Sequence, residues 1–207
     1  MTQETDEAVD ASRPDSPFHL QGTDHITLEG TNTDATIEYY RDLLGCSLVL
    51  SQPNLDRNEL THLFFDTGDG CLISFFVDDE RETADLPDPD PGQVHHLAFQ
   101  INGDEIGTIA DTLEAHGYPV REYDRGAFHS LYTVDPNGLT IELVADKFAV
   151  PDDRRGEVLA EAHRRRVEAG AEFVQSQHMR AAVKHFDIAV EEREIREAPT
   201  GRDYQEE

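Results

Sequence analysis

The chain has 207 residues, 37% of them hydrophobic, with 44 Asp and Glu against 17 Lys and Arg and a formal net charge of −27. A surface this acidic repels polyanions, which argues against nucleic-acid or anionic-membrane binding, and no apolar run reaches the roughly 20 residues of a membrane-spanning helix. Only two of the basic residues are lysines. An acidic, lysine-poor composition is typical of proteins from salt-loving organisms, because molar salt screens charge repulsion.

A first module is predicted over residues 19–78. The preceding residues 1–18 lack the basic and apolar regions of a signal peptide and are expected to form a disordered acidic tail. Together with two cysteines at no metal-binding spacing, this predicts a cytoplasmic protein. Hydrophobic periodicity predicts a strand, an amphipathic helix and three more strands at 21–30, 32–45, 46–52, 60–67 and 71–78.

The same order of elements is predicted again over residues 92–148, after an acidic, proline-rich linker at 79–91. The second set comprises a strand, a helix and three strands at 92–101, 104–117, 118–124, 128–135 and 139–146. His25 and His96 open the two copies, and glycines end the helix and form the last hairpin turn in each. Because neither copy can bury both faces of four strands alone, the repeat predicts an α+β fold of two paired βαβββ modules sharing a half-open curved sheet.

The composition changes after the second module. Residues 149–195 are predicted to be a helical extension, with two helices broken near Gly170 that pack on the module or on a second subunit. Residues 196–207 are predicted to be a tail.

Superposing the two copies brings four side chains to equivalent points. Ser74 falls opposite Glu142, and with His25 and His96 these residues are predicted to converge on one cavity. Two imidazoles and one carboxylate suit Fe(II), Mn(II) or Zn(II), while Ser74 is a poor ligand that leaves open positions, as in the facial triad of non-haem iron oxygenases. His95 points away from His96 in a strand and is interpreted as a structural residue.

The segments "DHITL", "YYRDLLG", "HLFFDTGDG" and "ISFF", followed by "HHLAF" and "DPNGLTIELV", resemble the vicinal oxygen chelate superfamily. This superfamily includes glyoxalases, fosfomycin and bleomycin resistance proteins and extradiol dioxygenases, and the likeness is closer to ring-cleaving dioxygenases of the hydroquinone type. It covers about residues 20–147. The resemblance implies paired βαβββ modules around a divalent metal, held by His25, His96 and Glu142.

The chain departs from the family pattern at two points. Glyoxalase-like members carry a fourth ligand, usually Glu, where this chain has Ser74, which favours the three-ligand dioxygenase pattern. Ring-cleaving members usually have four modules, so a homodimer or the C-terminal helices would have to supply the missing walls. Tyr132 matches the position of an acid–base tyrosine in extradiol enzymes but could equally be a core aromatic. His129 is either an acid–base group placed behind the metal ligands or an exposed strand residue.

These observations predict a dioxygenase that opens a dihydroxylated aromatic ring with O2, with Fe(II) as the expected metal and Mn(II) or Zn(II) as alternatives. A homodimer is expected, and the two modules could pair within one chain or be exchanged between two. The alternatives are a lyase, isomerase or epimerase of the same superfamily, and a non-enzymatic module that binds a small molecule.

Overall fold

Strands with alternating buried and exposed side chains form two four-stranded sheets. The computed structural model describes residues 9–83, 89–193 and 197–198. The first sheet contains β1 (His25–Gly30), β2 (Ser47–Pro53), β3 (Thr61–Asp66) and β4 (Leu72–Val77), in the order β1-β4-β3-β2. The second contains β5 (Leu97–Gln100), β6 (Arg121–Asp124), β7 (Phe128–Val134) and β8 (Thr140–Asp146), in the order β5-β8-β7-β6.

Each sheet has one parallel pair, β1 with β4 and β5 with β8, and its other neighbours are antiparallel. A helix connects the first two strands of each module. These features confirm the predicted α+β fold of two βαβββ modules, built as two open sheets. Strand β5 begins at Leu97, later than the predicted 92–101, so His95 and His96 precede it.

The helix of the first module starts at Asn32, whose side chain accepts from Ala35 N, and runs as α1 (Thr33–Ile37). It continues as a π-helical segment, Glu38–Leu43, in which Leu44 N donates to Tyr39 O at 2.9 Å. The wider turn accompanies the complete burial of Tyr39 and Tyr40. The second module has a 3₁₀ turn, Gly103–Glu105, followed by α2 (Ile106–Ala115).

One hydrophobic core joins the modules. It contains both consecutive tyrosines of the first helix, the inward residues of β3, β4, β7 and β8, and the buried face of α2. Polar contacts also cross between the modules. The Tyr40 hydroxyl donates to Asp135 Oδ2 at 2.9 Å, and Thr31 N donates to Asn137 Oδ1 at 2.9 Å. The DPNG turn of the second module is therefore anchored on the first.

Two helices follow the modules, α3 (Arg155–Glu168) and α4 (Ser176–His185), and the helical structure is interrupted at Gly170 as predicted. They form a second core with Ala127 and Phe148, so the extension packs on the second module of its own chain. No helix in the described ranges is long and apolar enough to cross a membrane.

Parts of four predicted segments lie outside the described residues. These are residues 1–8 of the tail, 84–88 of the linker, 194–195 of the extension, and 196 and 199–207 of the last tail. Residues 9–18 contain no helix or strand and are exposed.

Candidate metal centre

The side chains of His96, Glu142 and Tyr132 meet on one face of the second sheet. Glu142 lies in the middle of β8 between Ile141 and Leu143, which are buried in the core, so the strand pleat turns its carboxylate to the opposite face. Tyr132 is its direct partner on β7. On the other side Glu142 pairs with Ala98, whose small side chain leaves room for the imidazole of His96.

The distance between His96 and Glu142 fits both a hydrogen bond between them and two ligands of one metal ion. His96 Nε2 lies 2.9 Å from Glu142 Oε2, and the Tyr132 hydroxyl donates to Glu142 Oε1 at 2.8 Å. Two donor atoms about 2.1 Å from one ion and at right angles to each other lie roughly 3 Å apart. The side chains of His96 and Glu142 are 33% and 12% exposed, so the pair is reachable from solvent.

The surroundings of Tyr132 favour the protonated form of its hydroxyl. Burial raises the pKa of its hydroxyl, and the hydrogen bond to Glu142 and the charge of that carboxylate raise it further. The charge of Arg125 and a hydrogen bond from it act in the opposite direction on this pKa, with smaller effect. The hydroxyl therefore keeps its proton at neutral pH.

His25 lies on the first sheet, at the start of β1. Its side chain is 44% exposed and its ring stands 5.7 Å from that of Phe64. His62 is on the same face, 4.5 Å from Phe64 between ring centroids, and burial followed by the charge of His25 lowers its pKa. The Nε2 atom of His62 is buried and has no hydrogen-bond partner among the described residues.

Ser74 is completely buried, and its hydroxyl lies 2.7 Å from the Thr27 hydroxyl. This contact satisfies Ser74 within the first sheet, in keeping with its weak qualities as a ligand.

The structure thus presents two half-sites. The first half-site comprises His25 and His62 on the first sheet, and the second comprises His96, Glu142 and Tyr132 on the second sheet. Among the described residues, no three His, Cys, Asp or Glu side chains are close enough together to hold a metal ion. The single cavity expected for His25, Ser74, His96 and Glu142 is therefore not assembled within the described part of one chain, and their role as a ligand set stays a prediction.

Both histidines of the predicted ligand set are oriented in the same way. The residue before each one contacts its Nδ1 atom: Asp24 Oδ1 at 2.6 Å from His25, and His95 Nδ1 at 2.8 Å from His96. When His25 and His96 carry the shared proton on Nδ1, their Nε2 lone pairs are free to bind a metal. His95 is thus a contact of His96, which strand alternation did not predict because both residues precede β5.

His129 does not share the face of Glu142. It is 1% exposed, its Nε2 lies 2.6 Å from Glu122 Oε1, and it points to the same side of β7 as the core residue Leu131. Because His129 and Tyr132 are an odd number of residues apart, an unbroken strand turns them to opposite faces. This placement corrects the expectation that His129 is exposed, and its role as an acid–base group stays a prediction.

The C-terminal helices cover one end of the second half-site's face. Asp146 at the end of β8 accepts from Arg155 of α3 at 3.0 Å and from Gln100 of β5 at 3.0 Å. The Ser176 hydroxyl at the start of α4 donates to Gly126 O at 3.0 Å. The extension therefore packs beside the second sheet, and its role as a wall of a substrate pocket stays a prediction.

A family model described as "Glyoxalase/Bleomycin resistance protein/Dioxygenase superfamily" matches residues 22–143, more than half of the chain. Solved structures with the same fold include a candidate dioxygenase from Bacillus subtilis, with 25% identity and a TM-score of 0.54. That match covers 62% of this chain and 41% of the Bacillus protein, so the chain spans less than half the length of that relative.

Two shorter proteins match over nearly their whole length. A glyoxalase/dioxygenase from Nostoc punctiforme is 20% identical with a TM-score of 0.52, and the match covers 65% of this chain and 97% of that one. The fosfomycin resistance protein FosX from Listeria monocytogenes is 21% identical with a TM-score of 0.50, covering 62% and 95%. On the family match and the repeated βαβββ topology, the chain belongs to the glyoxalase/bleomycin resistance protein/dioxygenase superfamily.

Proposed function

We propose that this protein is a divalent-metal-dependent dioxygenase that opens a dihydroxylated aromatic ring, with Fe(II) as the metal. The observation that carries the proposal is the contact of His96 with Glu142 at ligand spacing, with the Tyr132 hydroxyl on the same carboxylate. A family whose members include metalloenzymes and a candidate dioxygenase relative support it.

A bound divalent metal would supply adjacent positions for the substrate oxygens and for O2. The remaining work falls to the chain itself. Glu142 and His96 would hold the metal, and the protonated Tyr132 hydroxyl, 2.8 Å from Glu142, would donate a proton to an oxygen of the reacting ring. Both atoms of O2 enter the opened product, so this reaction needs no external reductant.

We further propose that a homodimer completes the site, with His25 of one chain facing His96 and Glu142 of the other. The two half-sites lie on the sheet faces turned away from the common core, and the described residues of one chain bring together only two of the three ligands. A second copy of the chain can supply the third ligand without any change in fold. A two-fold interface would form two such sites in each dimer.

The first experiment measures metal content after purification in molar KCl, for the wild type, His96→Ala and His116→Ala. His116 is an exposed histidine at the end of α2 and reports non-specific binding. We expect about one metal ion per chain, lost only in His96→Ala. Iron-loaded protein is then tested for O2 uptake with catechols and hydroquinones. No uptake would refute the dioxygenase reaction, and zinc as the native metal would move the assignment towards a lyase or isomerase.

The second experiment mixes His25→Ala and His96→Ala chains after unfolding and refolding them together. If each site takes ligands from two chains, random pairing leaves one intact site in half of the dimers, so metal content recovers to about a quarter of wild type. If the site forms within one chain, every site carries a mutation and no metal is recovered. The two arrangements thus give different results.

A further inference from the structure

Arg125 lies beside the second half-site, on the exposed edge of the second sheet. It occupies the turn between β6 and β7, where its backbone N donates to Phe128 O at 2.8 Å. Its guanidinium carbon stands 4.7 Å from the ring centroid of Tyr123 and 5.5 Å from that of Tyr132. These two rings are themselves 5.9 Å apart and inclined at 63°, so the exposed guanidinium lies close to both rings of an edge-to-face pair.

Eight arginines of the described residues form ion pairs with carboxylates, whereas Arg125 does not. With 44 acidic and 17 basic residues, carboxylates surround most cations. Ion pairs of this kind are made by Arg41, Arg57, Arg81, Arg154, Arg155, Arg164, Arg165 and Arg180. No ion pair of the described residues includes Arg125. Its neighbour Asp124 is bound instead by the Lys147 ammonium at 2.9 and 3.1 Å.

The charges of the half-site favour an anion next to Arg125. Glu142 is engaged by His96 and Tyr132, and a divalent ion would more than neutralise it. The local field would then be positive, with a planar guanidinium whose fork of N–H groups matches a carboxylate. Contact with the two aromatic rings restricts the guanidinium, which reduces the entropy lost when an anion binds.

We infer that Arg125 is a specificity-determining residue that binds an anionic group of the substrate. This inference rests on the proposed function. It narrows the substrate class to dihydroxylated aromatic acids, with the carboxylate bound by Arg125 and the hydroxyls at the metal. It also predicts that neutral catechols and hydroquinones bind more weakly than the matching acids.

The test compares two ligands that differ only in the carboxylate, 2,5-dihydroxybenzoate and hydroquinone. Binding is measured by calorimetry to zinc-loaded and to metal-free protein, without O2, so that no turnover is required. We expect the zinc-loaded wild type to bind the acid at least about tenfold more tightly than the neutral ring. Arg125→Gln should lose this preference, and Arg125→Lys should keep part of it because the charge remains. Arg57→Gln changes an exposed arginine of the first module, removes the same charge and should keep the preference in full.

The outcomes separate this inference from the proposed reaction. If Arg125→Gln abolishes the preference while iron-loaded protein takes up no O2, Arg125 recognises an anion and only the dioxygenase assignment fails. If the wild type binds both ligands equally, binds neither, or keeps its preference in Arg125→Gln, the inference about Arg125 is wrong. Equal loss in Arg57→Gln would show a general effect of net charge and would also overturn it.

Discussion

The hydrogen bond between Tyr40 and Asp135 gives the sharpest test of how the two modules are held together. The Tyr40 hydroxyl is completely buried and donates to a carboxylate that is 3% exposed, across a separation of 95 residues. A hydrogen bond to a charged group contributes about 1.5–3 kcal/mol. Tyr40→Phe should therefore lower the free energy of unfolding by about 2 kcal/mol. With a urea slope of about 2 kcal/mol/M, the unfolding midpoint falls by about 1 M.

The neighbouring tyrosine is a matched control. Tyr39 is equally buried, but its hydroxyl has no hydrogen-bond partner in the described part of the chain, so Tyr39→Phe removes no hydrogen bond and should leave the unfolding free energy unchanged or raise it. Urea unfolding in molar KCl, followed by circular dichroism, measures both variants. In an Asp135→Ala background, Tyr40→Phe should have little further effect, because its partner is already absent. Equal midpoints for the two Tyr→Phe variants would refute the argument and show that Asp135 gains nothing from Tyr40.

Three further outcomes are expected. Tyr132→Phe should lower turnover by about 100-fold while metal content stays unchanged, since the tyrosine serves as a proton donor and not as a ligand; lost metal would contradict this role. Gly126→Ala should destabilise the fold by about 2 kcal/mol or more, measured as a lower urea midpoint, because the residue has φ +81 and a Cβ would stand 2.8 Å from Val174 O. Burial raises the pKa of Asp135 in the folded protein, which therefore holds this proton more tightly than the unfolded chain does. The wild type should lose stability relative to Asp135→Asn as pH rises from 3.8, the ordinary pKa of Asp, through the raised pKa. A pH-independent difference between the two would show that this pKa is not raised.

Local patterns in the sequence were sufficient to predict the order of the helices and strands and their repetition in two modules. Residue alternation in "LTIELV" is enough to turn Glu142 away from the core residues on either side of it. The glycines at the ends of both module helices, Gly45 and Gly117, adopt the positive φ values that such positions require. The same reasoning applied to "FHSLYTV" places His129 and Tyr132 on opposite faces of the strand, so this arrangement could be read from their spacing.

Other features depend on contacts that no local pattern reports. The π-helical segment after α1 accompanies the burial of two consecutive tyrosines, which follows from the packing of both modules around one core. His95 contacts His96 only because β5 begins at Leu97, later than the pattern suggested. Arg125 lies close to the rings of Tyr123 and Tyr132 because its turn joins β6 and β7, the neighbouring strands that carry these tyrosines.

The sequence by itself determined the fold class, because hydrophobic period, turn residues and a repeat are local properties of the chain. Its resemblance to a known family indicated the superfamily and the predicted ligands. Only the tertiary structure decided which of those ligands meet. His96 and Glu142 are brought together by strand register within one sheet, whereas His25 belongs to the other sheet. The relative placement of two sheets depends on long-range packing between residues far apart in the chain, which short-range periodicity does not specify.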